Sequence, residues 1–221
     1  MGQDPNYALA YAGLGEAYWH KYGFTKDARW VEQAHQSCRR ALELNPELAP
    51  VHVTVGMLYT ETGRYQEGVA EFRQAMSLDP SNADAHRELA RAFEALGRLE
   101  EAEATHQKAI ALRPGYWGGY HSLGVLYYRH GRYREAEQQF QRVIELTPDN
   151  VRGYYSLGGV YHLMGRTDEA IVLMQKSLSI EPTPYAYSNL GTLYFFQGRY
   201  PEAVRWYEKA VELQPNDYLV L

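Results

Sequence analysis

Apolar residues along this chain return three and four positions apart, in two bursts that recur as a pair. Between Trp117 and Asn150, the first burst places Tyr120, Leu123, Gly124 and Tyr127 at i, i+3, i+4 and i+7, one face of a helix. Gly131-Arg132 then breaks the pattern. Glycine suits the left-handed turn that ends a helix, because it has no Cβ to clash there. A second burst follows, with Ala136, Phe140, Val143 and Ile144 on a common face and Leu146 closing it before Thr147-Pro148. The pattern predicts two helices joined by a tight turn.

The pair repeats along most of the sequence. Pro46, Pro80, Pro114, Pro148 and Pro182 stand 34 residues apart, and Pro215 follows 33 further on. A fixed period of about 20–50 residues marks a solenoid, whose units stack only on their neighbours. The units run 8–48, 49–82, 83–116, 117–150, 151–183 and 184–217. A large slot on the first helix holds Tyr11, His52, His86, Tyr120, Tyr154 and Tyr187. A small slot four residues later holds Gly15, Gly56, Ala90, Gly124, Gly158 and Gly191, and its partner on the second helix holds Ala34, Gly68, Ala102, Ala136, Ala170 and Ala203. Small residues at both slots let the two backbones approach. The helix ends are legible as well. Gly63, Gly97, Gly131, Gly165 and Gly198 are each followed by arginine, expected to favour the negative end of the first helix. Asn82, Asn150 and Thr183 are placed to cap the next unit's first helix.

These motifs resemble the tetratricopeptide repeat, W-x2-L-G-x2-Y, then A-x3-F, then P. The fourth unit reads Tyr120-x2-Leu123-Gly124-x2-Tyr127, then Ala136-x3-Phe140, then Pro148. Tyrosine or histidine replaces the leading tryptophan in every unit. The resemblance implies an all-α fold, a right-handed α-solenoid of about 12 helices, forming a single array across 1–221. It also implies that the first helices line a concave groove that binds peptides or protein surfaces.

Two places depart from the pattern. The unit 8–48 is seven residues longer, around Tyr22-Gly23-Phe24-Thr25-Lys26-Asp27. Both its helices are expected to lengthen, with a longer loop projecting between them, Asp27 capping the second helix, and Phe24 and Trp30 packing across the insertion. At the ends, 1–7 and 218–221 read as remnants of flanking repeats, which predicts end faces free to pack on something else.

Composition narrows the function. Net charge is −5, which argues against nucleic acid as a partner. No apolar run is long enough to span a bilayer, so membrane insertion is not expected. The single cysteine, Cys38, cannot form an intramolecular disulfide and fills an apolar slot of a second helix. The expected setting is the reduced cytoplasm, with the periplasm as the alternative. No phosphate loop, nucleophile elbow or kinase catalytic set is present. No two of the 8 histidines sit at i, i+4, so neither a metal nor any other cofactor is expected. His52, His86 and His106 occupy core slots, and most of the 20 tyrosines, Tyr200 included, recur at repeat slots and are expected in the core.

By the resemblance, the groove takes the second, fifth, sixth, ninth, twelfth and thirteenth residues of each unit. The side chains there that suit an interface are Trp19 and Met57, then Arg87 and Arg91, and in the fourth unit His121, Tyr128 and Arg129. The last two units add Arg152, Tyr155 and His162, followed by Tyr185, Asn189 and Phe195. Aromatic and arginine side chains are what interface hot spots favour. Asp84, Glu88 and Glu94 stand at helical spacing from Arg87 and Arg91 and offer them partners within the chain. The expected function is a non-enzymatic scaffold holding a protein or peptide segment. Two alternatives stand beside it: a regulatory part of a larger bacterial signalling enzyme, kinase or cyclase, and a self-assembling oligomer.

Overall fold

Each turn glycine takes the left-handed conformation, with φ of +80° at Gly63, +74° at Gly97, +73° at Gly131, +77° at Gly165 and +74° at Gly198. The amides around them close the helices in one way. The N–H of Arg64 donates to the Tyr59 carbonyl at 2.8 Å and that of Gly63 to the Thr60 carbonyl at 3.1 Å, a pair of bonds repeated at the other four turns. The result, in a computed structural model that describes residues 5–213, is a chain of helix pairs. They are α1 (Pro5–Thr25) and α2 (Arg29–Leu44), α3 (Ala49–Glu61) and α4 (Tyr65–Leu78), α5 (Ala83–Ala95) and α6 (Leu99–Leu112). The later pairs are α7 (Trp117–Arg129) and α8 (Tyr133–Leu146), α9 (Val151–Leu163) and α10 (Thr167–Ile180), α11 (Pro184–Phe196) and α12 (Tyr200–Leu213). Among the described residues there is no strand. The remnant expected at 218–221 lies outside them, as does the start of the one at 1–7, and from Pro5 the chain is already α1.

The arginine after each glycine has a different role from the one expected. It stands at the start of the second helix, where the dipole disfavours a cation. Two contacts offset that. Its guanidinium lies over the aromatic ring five residues back, 4.3 Å from Tyr59 for Arg64 and 3.7 Å from Tyr161 for Arg166. It also bonds the glutamate three residues on, as Arg98 does with Glu101 at 2.6 Å. Ring, guanidinium and carboxylate together seal the turn.

The caps form as expected. Asn82 Oδ1 accepts from the Ala85 N–H at 2.9 Å, Asn150 Oδ1 from Arg152 at 3.1 Å and Thr183 Oγ1 from Ala186 at 3.2 Å. The prolines have a partner that the spacing alone does not reveal. The Pro148 carbonyl accepts from the Tyr154 hydroxyl at 2.9 Å, and the Pro46 carbonyl from His52 Nε2 at 2.7 Å. In the second, third and fifth repeats the large slot therefore ties the first helix to the end of the preceding repeat. His52 bonds Glu71 through its other nitrogen at 2.6 Å, and that carboxylate raises its pKa.

The expected long loop in the first pair is absent. α1 has 21 residues and α2 has 16, against 13 and 14 in the pairs that follow. The insertion is absorbed as helix, and only Lys26 to Ala28 separate the two, as Thr62 to Arg64 do one pair later. Lys26 takes the glycine's place with φ of +54°. Asp27 accepts from the Arg29 N–H at 3.0 Å and holds its guanidinium. Trp30 stacks on Tyr18, with centroids 5.6 Å apart, whereas Phe24 is 90% exposed and packs across nothing.

Inside each pair, the small slot faces a large side chain of the second helix. A Cβ on Gly124 would lie 2.6 Å from the Phe140 ring, and one on Gly56 2.6 Å from Phe72. Phe72 and Phe140 are fully buried. In the third pair the small slot is Ala90, and the residue in the Phe140 slot is His106, 1% exposed. Tyr200, expected in the core, is exposed, because it opens α12 beside Phe195 at the surface.

The chain divides into two compact units, Met1–Pro114 and Gly115–Leu221, each with three helix pairs. In the first, α3 packs against both α1 and α5. In the second, α9 packs on α8 and α11 on α10.

Candidate protein-binding face

The groove-side residues of the first helices differ sharply between the two units. In the first unit they are charged and engaged with one another. Glu88 is buried, and both its oxygens are taken, by Arg87 at 2.9 Å and by Arg91 at 2.8 Å. Arg91 also reaches Glu61 at 3.1 Å, and Arg87 reaches Asp84 at 3.4 Å. Arg91 thus ties α5 to α3, while Arg87 is held within α5. Trp19 and Met57 line a small cavity of about 80 Å³ with Glu16, His20 and Glu61, the partner of Arg91. Trp19 rests against Tyr22, with centroids 5.3 Å apart.

The second unit is aromatic. Tyr128 and Arg129 from α7, Tyr155 and His162 from α9, and Tyr185 and Asn189 from α11 line one open cavity of about 370 Å³. Tyr155 and Tyr185 meet edge to face at 5.5 Å, and His162 lies 5.3 Å from Phe196. Phe195 packs on Tyr200 at the edge of this region. Burial pushes the Tyr128 and Tyr155 phenols up, so both present O–H groups at neutral pH. His121 lies one layer back, against Phe140, with Nε2 3.3 Å from Ser156 Oγ. Burial, with the Arg152 cation adding to it, pushes His121 down to about 4, so it is neutral. Arg152 itself is exposed at the start of α9.

Four families of tetratricopeptide repeat models match this chain: at 59–124, at 126–165, at 151–184 and at 184–217. Between them they account for well over half of it. The chain belongs to the tetratricopeptide repeat family. Its fold is therefore that of a protein-interaction scaffold. No curated protein matches it. Among solved structures it is similar to TTC0263, a repeat protein of Thermus thermophilus, at 28% identity over 78% of this chain and 94% of that one, with a TM-score of 0.63. MamA is 28% identical over 72% of this chain and 93% of its own, with a TM-score of 0.61. PilF of Pseudomonas aeruginosa shares the fold, with a TM-score of 0.72 at 18% identity over 96% of this chain and 94% of its own.

In this repeat array, the cavity has a contributor that a search for large side chains passes over. Gly159, the ninth residue of the fifth repeat, lines it beside Gly158. The same slot holds Glu16, Met57, Arg91, Val125 and Thr192 in the other repeats. Aligning the repeats by slot was the signal that could have found it. The thiol of Cys38 has no part in any of this: burial, with Glu16 and Glu71 adding to it, pushes its pKa up to about 12. Among the described residues, no group of histidines, cysteines and carboxylates is placed to hold a metal, and no helix is long and apolar enough to cross a membrane.

Proposed function

We propose that this chain is a non-enzymatic scaffold that holds a segment of another protein against the first helices of its second unit. The observation that carries this reading is a set of aromatic side chains exposed around one cavity. Tyr128 is 37% exposed and Tyr185 61%, both in the lining, and Phe196, 67% exposed, lies against His162 of the lining. Large apolar groups left in water form a patch that association would cover. Asn189 adds an amide whose donor and acceptor match those of a peptide bond. The experiment is a selection of peptides from a random displayed library on the wild-type chain. Their affinities are then compared on Tyr155→Ser with Tyr185→Ser. Binding that survives the double change places the ligand elsewhere.

A second reading, self-association, has one observation in its favour. On α12, Val204 is 54% exposed and Val211 45%, whereas Ile171, in the slot of α10 matching Val204, is 6% exposed. Light scattering over a concentration series tests it, and a constant monomer mass removes it.

A further inference from the structure

Gly159 is the unusual residue of the second unit. Glycine weakens a helix interior, and α9 holds it at a slot where no backbone turn requires it. Nor does crowding require it. A Cβ at Gly159 would find Tyr128 at 3.9 Å and nothing closer, whereas one at Gly158 would meet Met174 Cε at 2.8 Å. The two adjacent glycines therefore differ. Gly158 makes room for the chain's own core, and Gly159 leaves room that the chain does not fill.

The surroundings of that room define what fits it. Its lining includes Tyr128, Tyr155 and Tyr185 with Leu163 and Met174. His162 Nδ1, also in the lining, is buried without a hydrogen-bond partner. Among the described residues no carboxylate lines the cavity, Arg129 does, and Arg152 stands close enough to Tyr155 and His121 to act on both electrostatically. The largely apolar lining calls for a bulky apolar side chain, and Arg129 with the nearby Arg152 for an acidic neighbour.

Resting on the reading that this face binds protein, we infer that the space left by Gly159 between α7, α9 and α11 is a socket for one aromatic or large aliphatic side chain of a peptide segment, with an adjacent Asp or Glu drawn to Arg152. In the second repeat the same slot holds Met57, beside a cavity of only about 80 Å³.

The test uses the library-selected peptides and fluorescence polarisation on the full chain. The peptides are expected to share a bulky apolar residue beside an acidic one. Gly159→Met is expected to weaken them about tenfold or more while melting at or above the wild-type temperature. Arg152→Gln is expected to weaken them less, and only those bearing the carboxylate. Alanine at the bulky peptide residue should weaken binding to the wild type and cost nothing further on Gly159→Met. The loss on the wild type stands as a test even if the protein variant is poorly behaved. Peptides that bind and respond to Tyr155→Ser with Tyr185→Ser but ignore both Gly159→Met and their own alanine change overturn the socket and leave the binding face standing. A library that yields no binder overturns both. If 3-phenylpropanoate alone binds as tightly as the peptides, the occupant is a small molecule and the peptide assignment falls.

Discussion

The third and fifth repeats use the same slots for opposite ends. Arg87, Glu88, Arg91 and Glu94 in α5 stand where Tyr155, Ser156, Gly159 and His162 stand in α9. Around them the frame is the same. Both repeats turn on a left-handed glycine, stack an arginine on a ring and bond it to a glutamate. In the third repeat the groove slots are consumed by the chain itself, with a buried carboxylate between two guanidiniums. In the fifth they surround a cavity. The frame sets the fold, and the groove slots are left to vary without it. A repeat family can therefore change what it binds at constant architecture.

The largest effect is expected where that separation is violated. Gly124→Leu drives four carbons into space already bounded by the Phe140 ring at 2.6 Å. It should destabilise the chain by more than about 3 kcal/mol in urea unfolding. Val125→Leu, one residue on and facing the groove, should change stability by less than about 1 kcal/mol. Similar losses at the two sites would dissolve the distinction between frame and groove.

The next effect separates the two repeats in their cores. His106 fills the slot that Met174 fills in the fifth repeat, and its Nδ1 has no partner. Burial, with the Arg87 and Arg91 cations adding to it, pushes its pKa down to about 4. The folded value lies below the unfolded value near 6.5, so the unfolded chain takes up the proton first. The contribution of neutral His106 is then complete above pH 6.5 and is lost as pH falls toward 4, by about 3 kcal/mol in all. His106→Met should remove that part of the acid sensitivity in urea titrations at pH 7 and pH 4.5. It should also stabilise the chain at pH 7 by about 1 kcal/mol, because the unpaired nitrogen goes. An unchanged pH slope would place the sensitivity on other groups.

The comparison also marks how far sequence reasoning reaches. Helix pairs, turn glycines and caps were legible because each depends on contacts between near neighbours. Gly131, Asn82 and Asn150 do their work within a few residues of themselves. The length of the first connection was not legible, because helix and loop compete there on small margins and Lys26 tolerates the left-handed turn. The candidate face was legible only in part. Sequence slots brought Tyr128, Tyr155, His162, Tyr185 and Asn189 to one face, and the structure brings them around one cavity. Arg87 and Arg91 belong to the same slots, yet Glu88 lies beneath them. Spacing reveals that a carboxylate is near, but not that it is buried and shared. Gly159 was missed because a cavity is made by an absent side chain.

Removing the shared carboxylate tests whether the third repeat needs its charges. Glu88→Ala leaves Arg87 and Arg91 facing each other across a vacated site, with Arg91 still reaching Glu61 and Arg87 still reaching Asp84. Both guanidiniums keep some solvent, so the loss should be about 2 kcal/mol, below that for a fully buried pair. Ser156→Ala, in the matching slot of the fifth repeat, should cost about 1 kcal/mol, for the hydrogen bond to His121 Nε2 that it removes. Equal losses would mean that both grooves serve the fold.

The smallest effect concerns the frame alone. The third and fifth repeats both turn on glycine, with φ of +74° and +77°, while the first turns on Lys26 at +54°. A side chain in that region crowds the backbone by about 1 kcal/mol. The Lys26 amide bonds the Tyr22 carbonyl at 2.8 Å, a contact that glycine keeps. Its ammonium stands 5.7 Å from the Tyr22 ring, a contact that glycine loses, but at an exposed site this is the weaker of the two. Lys26→Gly should therefore stabilise the chain by up to about 1 kcal/mol, offset in part by the freedom glycine adds to the unfolded state. A fall in melting temperature would show that the first repeat is held by its lysine contacts, and that the frame common to the third and fifth does not extend to it.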